Sequence, residues 1–386
     1  MRSSANLELT ALRLRAQLID PSDDEHYRTP AEVVRWMLAM QGQDFPGVRF
    51  SVGLRSPGAT DARVEAAIAS GEIVRSWPMR GTLHLVAAED LDWMLRISEP
   101  RQATWSATRR AALGITAEHL KRAGDVAVDL LSGSRVIRRD LLLQAWDAAG
   151  LATTGGRGYH MLWNLAMARL IVFGPADGKH PTFTLLEEWV PSPRVLAGEE
   201  ALAEFAGRYF RSHGPATTRD FAWWASLTLR DARAGAAAAG LRVREFDGTD
   251  YYLGAEVDGT TARAARPRVH ALPGFDEYLL GYQNRSAVLA PEFSNLIVPG
   301  NNGVFLPTVV VDGAVAATWK RTERASAVCV TLDPFEPLSV GASDGFARAV
   351  HGYGRFLGKP VEIAPERSTT ERSTTERSTV DRATAD

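Results

Sequence analysis

Gln41-Gly42-Gln43 sets two primary carboxamides one residue apart, each carrying a carbonyl acceptor and an NH2 donor and neither carrying a charge. Held close together, such a pair can orient a water molecule without acting as a strong base. It suits a reaction that needs a positioned water and little proton abstraction. The plainer alternative is that both side chains satisfy backbone groups that a helix terminus leaves unpaired. Spacing alone leaves both readings open.

The elements around the pair must decide its geometry. Residues 29–40 read as a helix, with Thr29 as cap, Pro30 in the first turn and apolar residues at helical spacing. Positions two apart on a helix diverge by about 200°, so Gln41 and Gln43 converge only if the backbone has left helical geometry. Gly42 permits that departure, and Pro46 with Gly47 marks the end of the regular segment.

Further along, one outline recurs three times: helical sequence followed by two short strands around a turn. Helix 61–71 leads into strands 72–77 and 82–86 across Met79-Arg80-Gly81. Helices 139–149 and 159–169 precede strands 170–173 and 182–186. In the third copy Thr218 caps 219–226, helix 229–239 follows, and strands 241–246 and 251–253 flank Asp247-Gly248. Each copy has a winged-helix outline, a module that binds nucleic acid or docks proteins. Beyond residue 265 the sequence turns β-rich, with strands expected at 278–282, 304–306, 308–319 around Asp312-Gly313, and 327–331. A small barrel or half-barrel closed by a helix near 345–357 is expected, so the fold class is α+β.

The expected divisions are 8–100, 101–195 and 196–262 for three winged helices and 263–363 for the β-rich region. A tail, 364–386, repeats every five residues and is too polar to offset its ordering entropy, so disorder is expected there. The net charge of −2 announces no polyanion partner, although 40 of the 44 cationic side chains are arginine. Locally, residues 101–170 carry ten Lys or Arg against five acids, a basic stretch able to follow phosphates or simply a solvated helical surface. No run of eighteen apolar residues occurs and the N-terminus lacks a secretory core, which predicts a cytoplasmic protein with no membrane partner. The single cysteine, Cys329, excludes an intramolecular disulfide and a thiolate metal cage, and reads as a small buried residue.

Several blocks together resemble the bacterial winged-helix DNA glycosylases of the AlkZ-like type: 40–47 around the Gln pair, Met79-Arg80-Gly81-Thr82-Leu83-His84 in the first hairpin, 153–160 with Arg157 and His160, 272–282 with Asp276 and Glu277, and 302–321. The resemblance spans about residues 8 to 360. It implies release of alkylated purines, unhooking of interstrand crosslinks, and a catalytic Gln-x-Gln motif mapping onto Gln41 and Gln43. Gly42 stands where that family often has a larger apolar residue. Damaged double-stranded DNA is the implied partner, a monomer the implied state and a nucleoid-associated cytoplasmic location the implied setting, with host protection against alkylating antibiotics as one role.

The remaining candidates rank below the pair. Arg157, in a glycine-rich turn before a helix, is placed to hold a phosphate; Arg80, His84 and His160 are candidate DNA contacts. Asp276 is a reserve catalyst, although adjacent strand residues face opposite ways and a structural role for Asp276 and Glu277 is the favoured reading. Trp163, Trp223, Trp224 and Trp319 read as core. The histidines show no metal-ligand spacing, and no phosphate loop, dinucleotide fingerprint or nucleophile elbow occurs, so neither metal nor cofactor is expected. The rival to an enzyme is a non-catalytic winged-helix regulator, which would usually be a dimer with strongly basic recognition helices.

Overall fold

The computed structural model describes residues 3–20, 28–254 and 267–364. The repetitive tail lies outside them. Two compact units emerge: residues 1–261 with 275–285, and residues 262–274 with 286–386. Eleven residues of the β-rich region therefore belong to the first unit.

The first unit opens with α1 (Ser4–Ala16), α2 (Pro30–Met37), β1 (Ala39–Gln41), α3 (Phe45–Leu54) and α4 (Asp61–Ala69). Thr29 and Glu32 form a capping box at the start of α2, with Pro30 at its first position. The helix nonetheless ends three residues before the sequence predicts. Leu38 turns into positive φ (67°), and Ala39–Gln41 becomes a strand pairing antiparallel with β3 (Thr82–Ala87), Gln41 opposite His84. Non-local strand pairing has overridden local helix periodicity. Asp44 caps α3 by accepting the Gly47 N–H; a Cβ at Gly47 would lie 2.3 Å from an Asp44 carboxylate oxygen, so this cap requires glycine.

Strand β2 (Ile73–Met79) reaches β3 through Arg80-Gly81, both at positive φ (55° and 67°). That turn type favours Asn-Gly, so an arginine in it is a local oddity. Next come α5 (Leu91–Ala112), α6 (Ala117–Leu131), β4 (Ile137–Arg138), α7 (Arg139–Ala148), α8 (Arg157–Met167), β5 (Ile171–Phe173), β6 (Thr182–Leu185) and α9 (Leu186–Trp189). The first two hairpins do not stand alone: one six-stranded sheet runs β1-β3-β2-β5-β6-β4, joined between β2 and β5 by the single pair Arg75 and Phe173. Helices α10 (Gly198–His213), α11 (Thr218–Ala225) and α12 (Leu229–Ala238) precede a separate hairpin, β7 (Arg242–Phe246) and β8 (Thr249–Leu253). Thr217 rather than Thr218 caps α11. Trp77, Trp93, Trp146, Trp163 and Trp224 lie in the core of this unit, whereas Trp223 is only partly buried.

The returning segment contains α13 (Glu277–Leu280). Here a strand is expected but a helical turn forms, because the Asp276 carboxylate accepts the Tyr278 N–H and starts it. As a result Asp276 and Glu277 are both buried instead of facing opposite ways.

The second unit holds the strands β9 (Val269–Leu272), β10 (Thr308–Val311), β11 (Ala314–Glu323), β12 (Val328–Pro334) and β13 (Val361–Ile363), together with α14 (Ser294–Ile297) and α15 (Val340–Leu357). Residues 304–306 are not a strand; Leu306 instead bonds back to the Ile297 carbonyl. Among the described residues the sheet order β13-β12-β11-β10-β9 places β9 and β13 at its edges, an open half-barrel with α15 packed against β9. The β10–β11 turn at Asp312-Gly313 has both residues at positive φ, as its sequence predicts. Trp319 is fully buried and donates to the Leu272 carbonyl. Cys329 is on the partly exposed face of β12, between buried Val328 and Val330, so it is less buried than its strand-like setting predicts.

Candidate active site

Strand geometry brings the two carboxamides together, since residues two apart on an extended chain lie on one side. Gln41 Nε2 donates to Gln43 Oε1 at 2.5 Å. The backbone between them is pinned on both sides: Gly42 N–H donates to the Leu83 carbonyl, and the Gly42 carbonyl accepts from the Arg75 guanidinium, both at 2.7 Å. A Cβ at Gly42 would sit 3.6 Å from Val48 and 3.7 Å from Arg75, so a larger apolar residue would meet those two side chains. Fixing therefore comes from hydrogen bonds rather than from a side chain at position 42.

Amide orientation follows from donor logic. Arg80 Nη2 donates to Gln41 Oε1 at 3.2 Å, and a guanidinium can only donate. The Gln41 amide nitrogen must then face Gln43, whose carbonyl is the acceptor. A directed chain results, Arg80 to Gln41 to Gln43, with Gln41 7% exposed and Gln43 open to solvent. Arg80 also approaches His84 Nε2 at 3.2 Å, while His84 Nδ1 is 2.9 Å from the Thr82 carbonyl. These contacts require a neutral ring protonated at Nδ1. Burial, reinforced by the Arg80 charge, pushes the His84 pKa down to about 3.

Two arginines, Arg75 and Arg80, bond to the motif itself, and a third, Arg285, shares the Trp223 ring with Arg80. Burial lowers the pKa of Arg75 to about 10, lowers that of Arg285 to about 10, and lowers that of Arg80. Arg75 stacks on Phe45 and Phe173, while Arg80 and Arg285 both lie 5.1 Å from the Trp223 ring. Behind Gln41 sits Glu277: its Oε1 accepts the Gln41 backbone N–H at 2.9 Å, its Oε2 accepts the Trp224 indole N–H at 2.8 Å, and His213 Nε2 is 3.5 Å away. Burial pushes the Glu277 carboxyl up, but the adjacent His213 and the charge of Arg80 overcome it and hold the group at about 2. Burial keeps His213 neutral at ordinary pH.

The other sequence candidates fall elsewhere. His84 is fully buried with both ring nitrogens engaged, so it meets Arg80 rather than the surface. Asp276 pairs bidentately with Arg55 at 2.8 and 2.9 Å and also accepts from Ser51 and Tyr278, which occupies both carboxylate oxygens. Arg157, at the start of α8, donates to the carbonyls of Ala152 and Leu113, and His160 accepts from Arg109. Among the described residues, their hydrogen bonds run to these groups and not to the Gln pair. The sequence offers no signal for Arg75; it places Trp224 in the core and gives Glu277 a structural role, as found, without linking either to Gln41, and for Arg80 the local signal is an arginine in a two-residue hairpin turn.

Acid lability follows from the buried groups. Unfolded His84 takes up a proton as pH falls below about 6.5, whereas the folded group resists until about 3. The unfolded state thus binds more protons in that window, and stability falls as pH falls through it. Glu277, at about 2 when folded, adds the same sign below about 4.5. Thermal melts between about pH 7 and pH 4 should show Tm dropping with acid, and His84→Gln should flatten the slope by on the order of 1 kcal/mol per pH unit. Equal slopes for the two proteins would show that His84 is not a source of the effect.

A hydrogen-bonded amide pair without a strong base, backed by arginines, suits hydrolysis of a bond whose leaving group departs readily from a polyanionic substrate. The family model for DNA glycosylase AlkZ-like proteins matches residues 34–356, and the chain belongs to that family; it is a DNA glycosylase. A curated relative, the interstrand DNA cross-link repair glycosylase of Streptomyces sahachiroi, is 25% identical over 334 residues, covering 82% of this chain and 88% of the relative. The solved structure of the Streptomyces sahachiroi DNA glycosylase AlkZ aligns with a TM-score of 0.74 at 25% identity, over 94% of this chain and all of the other. These findings favour the enzyme over the regulator. Among the described residues no helix is long and apolar enough to cross a membrane.

Proposed function

We propose that this glycosylase hydrolyses the N-glycosidic bond of N7-alkylated purines in double-stranded DNA, including bulky natural-product adducts and interstrand crosslinks of the kind named for its relative. Alkylation at N7 places positive charge on the base, so the leaving group needs no protonation and the sugar passes through an oxocarbenium-like state. What remains is to hold a water and stabilise that state. The Gln43 carbonyl, exposed at the end of the chain from Arg80, is assigned to orient the water, and the Gln41 carbonyl to face the sugar. The directed hydrogen-bond chain is the observation that carries this reading.

Neither amide can act as a true base, so ordinary guanine is a poor substrate and selectivity rests partly on the reactivity of the lesion. Most glycosylases flip their target base into a pocket; a base tethered to the opposite strand cannot swing out, which calls for a shallow site. Within the first unit we read the three helix-and-hairpin stretches, windows 8–100, 101–195 and 196–262, as winged helices presenting DNA-binding surface, with 263–363 as the β-rich C-terminal part. Arg157 and Arg80 remain the proposed cationic contributors to DNA binding, His84 acts through Arg80, and His160 supports the second window. The protein is taken to work as a monomer in repair, including self-protection against DNA-alkylating antibiotics. Duplex DNA containing 7-methylguanine should yield free base and an abasic strand, while the unmodified duplex yields neither. Absence of release from simple, bulky and crosslinked lesions alike would overturn the reading.

A further inference from the structure

We propose that Glu277 is a positioning residue for the reaction: by clamping the backbone N–H of Gln41 it sets the direction in which the Gln41 amide meets Gln43. The inference rests on the assignment of Gln41 above.

Its basis is the place of β1 in the sheet. Among the described residues β1 is an edge strand, with a neighbouring strand on one side of its backbone only. Gly42 N–H turns inward to β3, and Gln41 N–H turns outward, where Glu277 Oε1 stands in for the missing strand. An unpaired N–H there would free the end of β1 to tilt, carrying the Gln41 side chain with it. The other carboxylate oxygen is held by the Trp224 indole, so the clamp is anchored in the aromatic core of the first unit.

The residue type is specific. Two donors, the Gln41 N–H and the Trp224 N–H, face opposite oxygens of one side-chain terminus. Only a carboxylate offers an acceptor at both positions; an amide turns an NH2 toward one donor or the other. A charged acceptor also makes each bond stronger than a neutral one. The negative charge lies close enough to offset that of Arg80, which holds the Gln41 carbonyl. Glu277 touches neither water nor sugar in this scheme and acts entirely through Gln41.

The test is Glu277→Gln, alone and combined with Gln41→Ala, read by single-turnover release of 7-methylguanine and separately by affinity for the damaged duplex. Release by Glu277→Gln should slow about tenfold to a hundredfold, with duplex affinity unchanged. On the Gln41→Ala background the same substitution should cost nothing more, because the group it positions is gone. Losses that multiply in the double variant would overturn the proposal, as would release at the wild-type rate by folded Glu277→Gln. If Gln41→Ala alone releases base normally, the premise has failed, and that result is distinct from either of the others. Should Glu277→Gln fail to fold, Trp224→Phe loosens the clamp while leaving the carboxylate; it should slow release about threefold to tenfold, again only when Gln41 is present. Normal release by Trp224→Phe would then count against the clamp.

Discussion

Gln41→Ala and Gln43→Ala are each expected to slow base release by about 10²-fold or more, with affinity for the damaged duplex little changed. Alanine at 41 removes the middle of the chain from Arg80, so the Gln43 carbonyl loses the donor that aims it. Alanine at 43 removes the group assigned to the water and leaves the Gln41 amide nitrogen without its acceptor. Affinity should survive because phosphate contacts with cationic side chains dominate DNA binding, and neutral amides add little to them. The double variant should lose much less than the product of the single losses, since both amides serve one transition state. Single-turnover release with binding measured in parallel checks this, and wild-type release by either single variant would remove the pair from the mechanism.

Arg55→Ala should be the most damaging single change to stability, at about 3–5 kcal/mol. Arg55 and Asp276 are 0% and 2% exposed, and removing the cation strands a carboxylate in the interior beside Ser51. A fall in Tm of roughly 10 °C is expected. Replacing both members, Arg55→Met with Asp276→Leu, should recover much of the loss, because it removes the stranded charge as well as the pair. Asp276→Asn separates the structural role from the reserve catalytic one. As a structural residue it should lower Tm while the folded protein, assayed well below that temperature, still releases base at nearly the normal rate. A stable Asp276→Asn protein with no activity would return Asp276 to the reaction.

Local chemistry made some of this fold readable in the chain. The Thr29 and Pro30 start of α2, the Asp-Gly turns at 247–248 and 312–313, and the paired strands around each turn all follow from residues close in sequence. What failed to show was non-local. The early end of α2 depends on Leu38 entering positive φ so that Ala39–Gln41 can pair with a strand more than forty positions on. The union of two hairpins in one sheet rests on a single residue pair, Arg75 with Phe173, and no composition marks such a joint.

The same division holds at the candidate site. Two glutamines around a glycine were conspicuous as polar residues at the end of an apolar segment. Glu277 was not, because it lies 236 residues from Gln41 and its acidic neighbour drew equal attention. A helical turn started by Asp276 placed both acids inside, where alternation along a strand would have separated them. His84 and Arg80 stood out in a hairpin, yet their burial, and hence their service to Gln41, depends on packing from distant segments.

The chain leaves its first unit at residue 261, begins the second, and comes back for residues 275–285 before departing again. That brief return delivers both Asp276, which neutralises Arg55, and Glu277, which holds Gln41. No amino-terminal fragment ending before it can therefore contain the complete candidate site, however well its helices form. On the ribosome, nearly three quarters of the chain must be translated before the parts of that candidate site can meet.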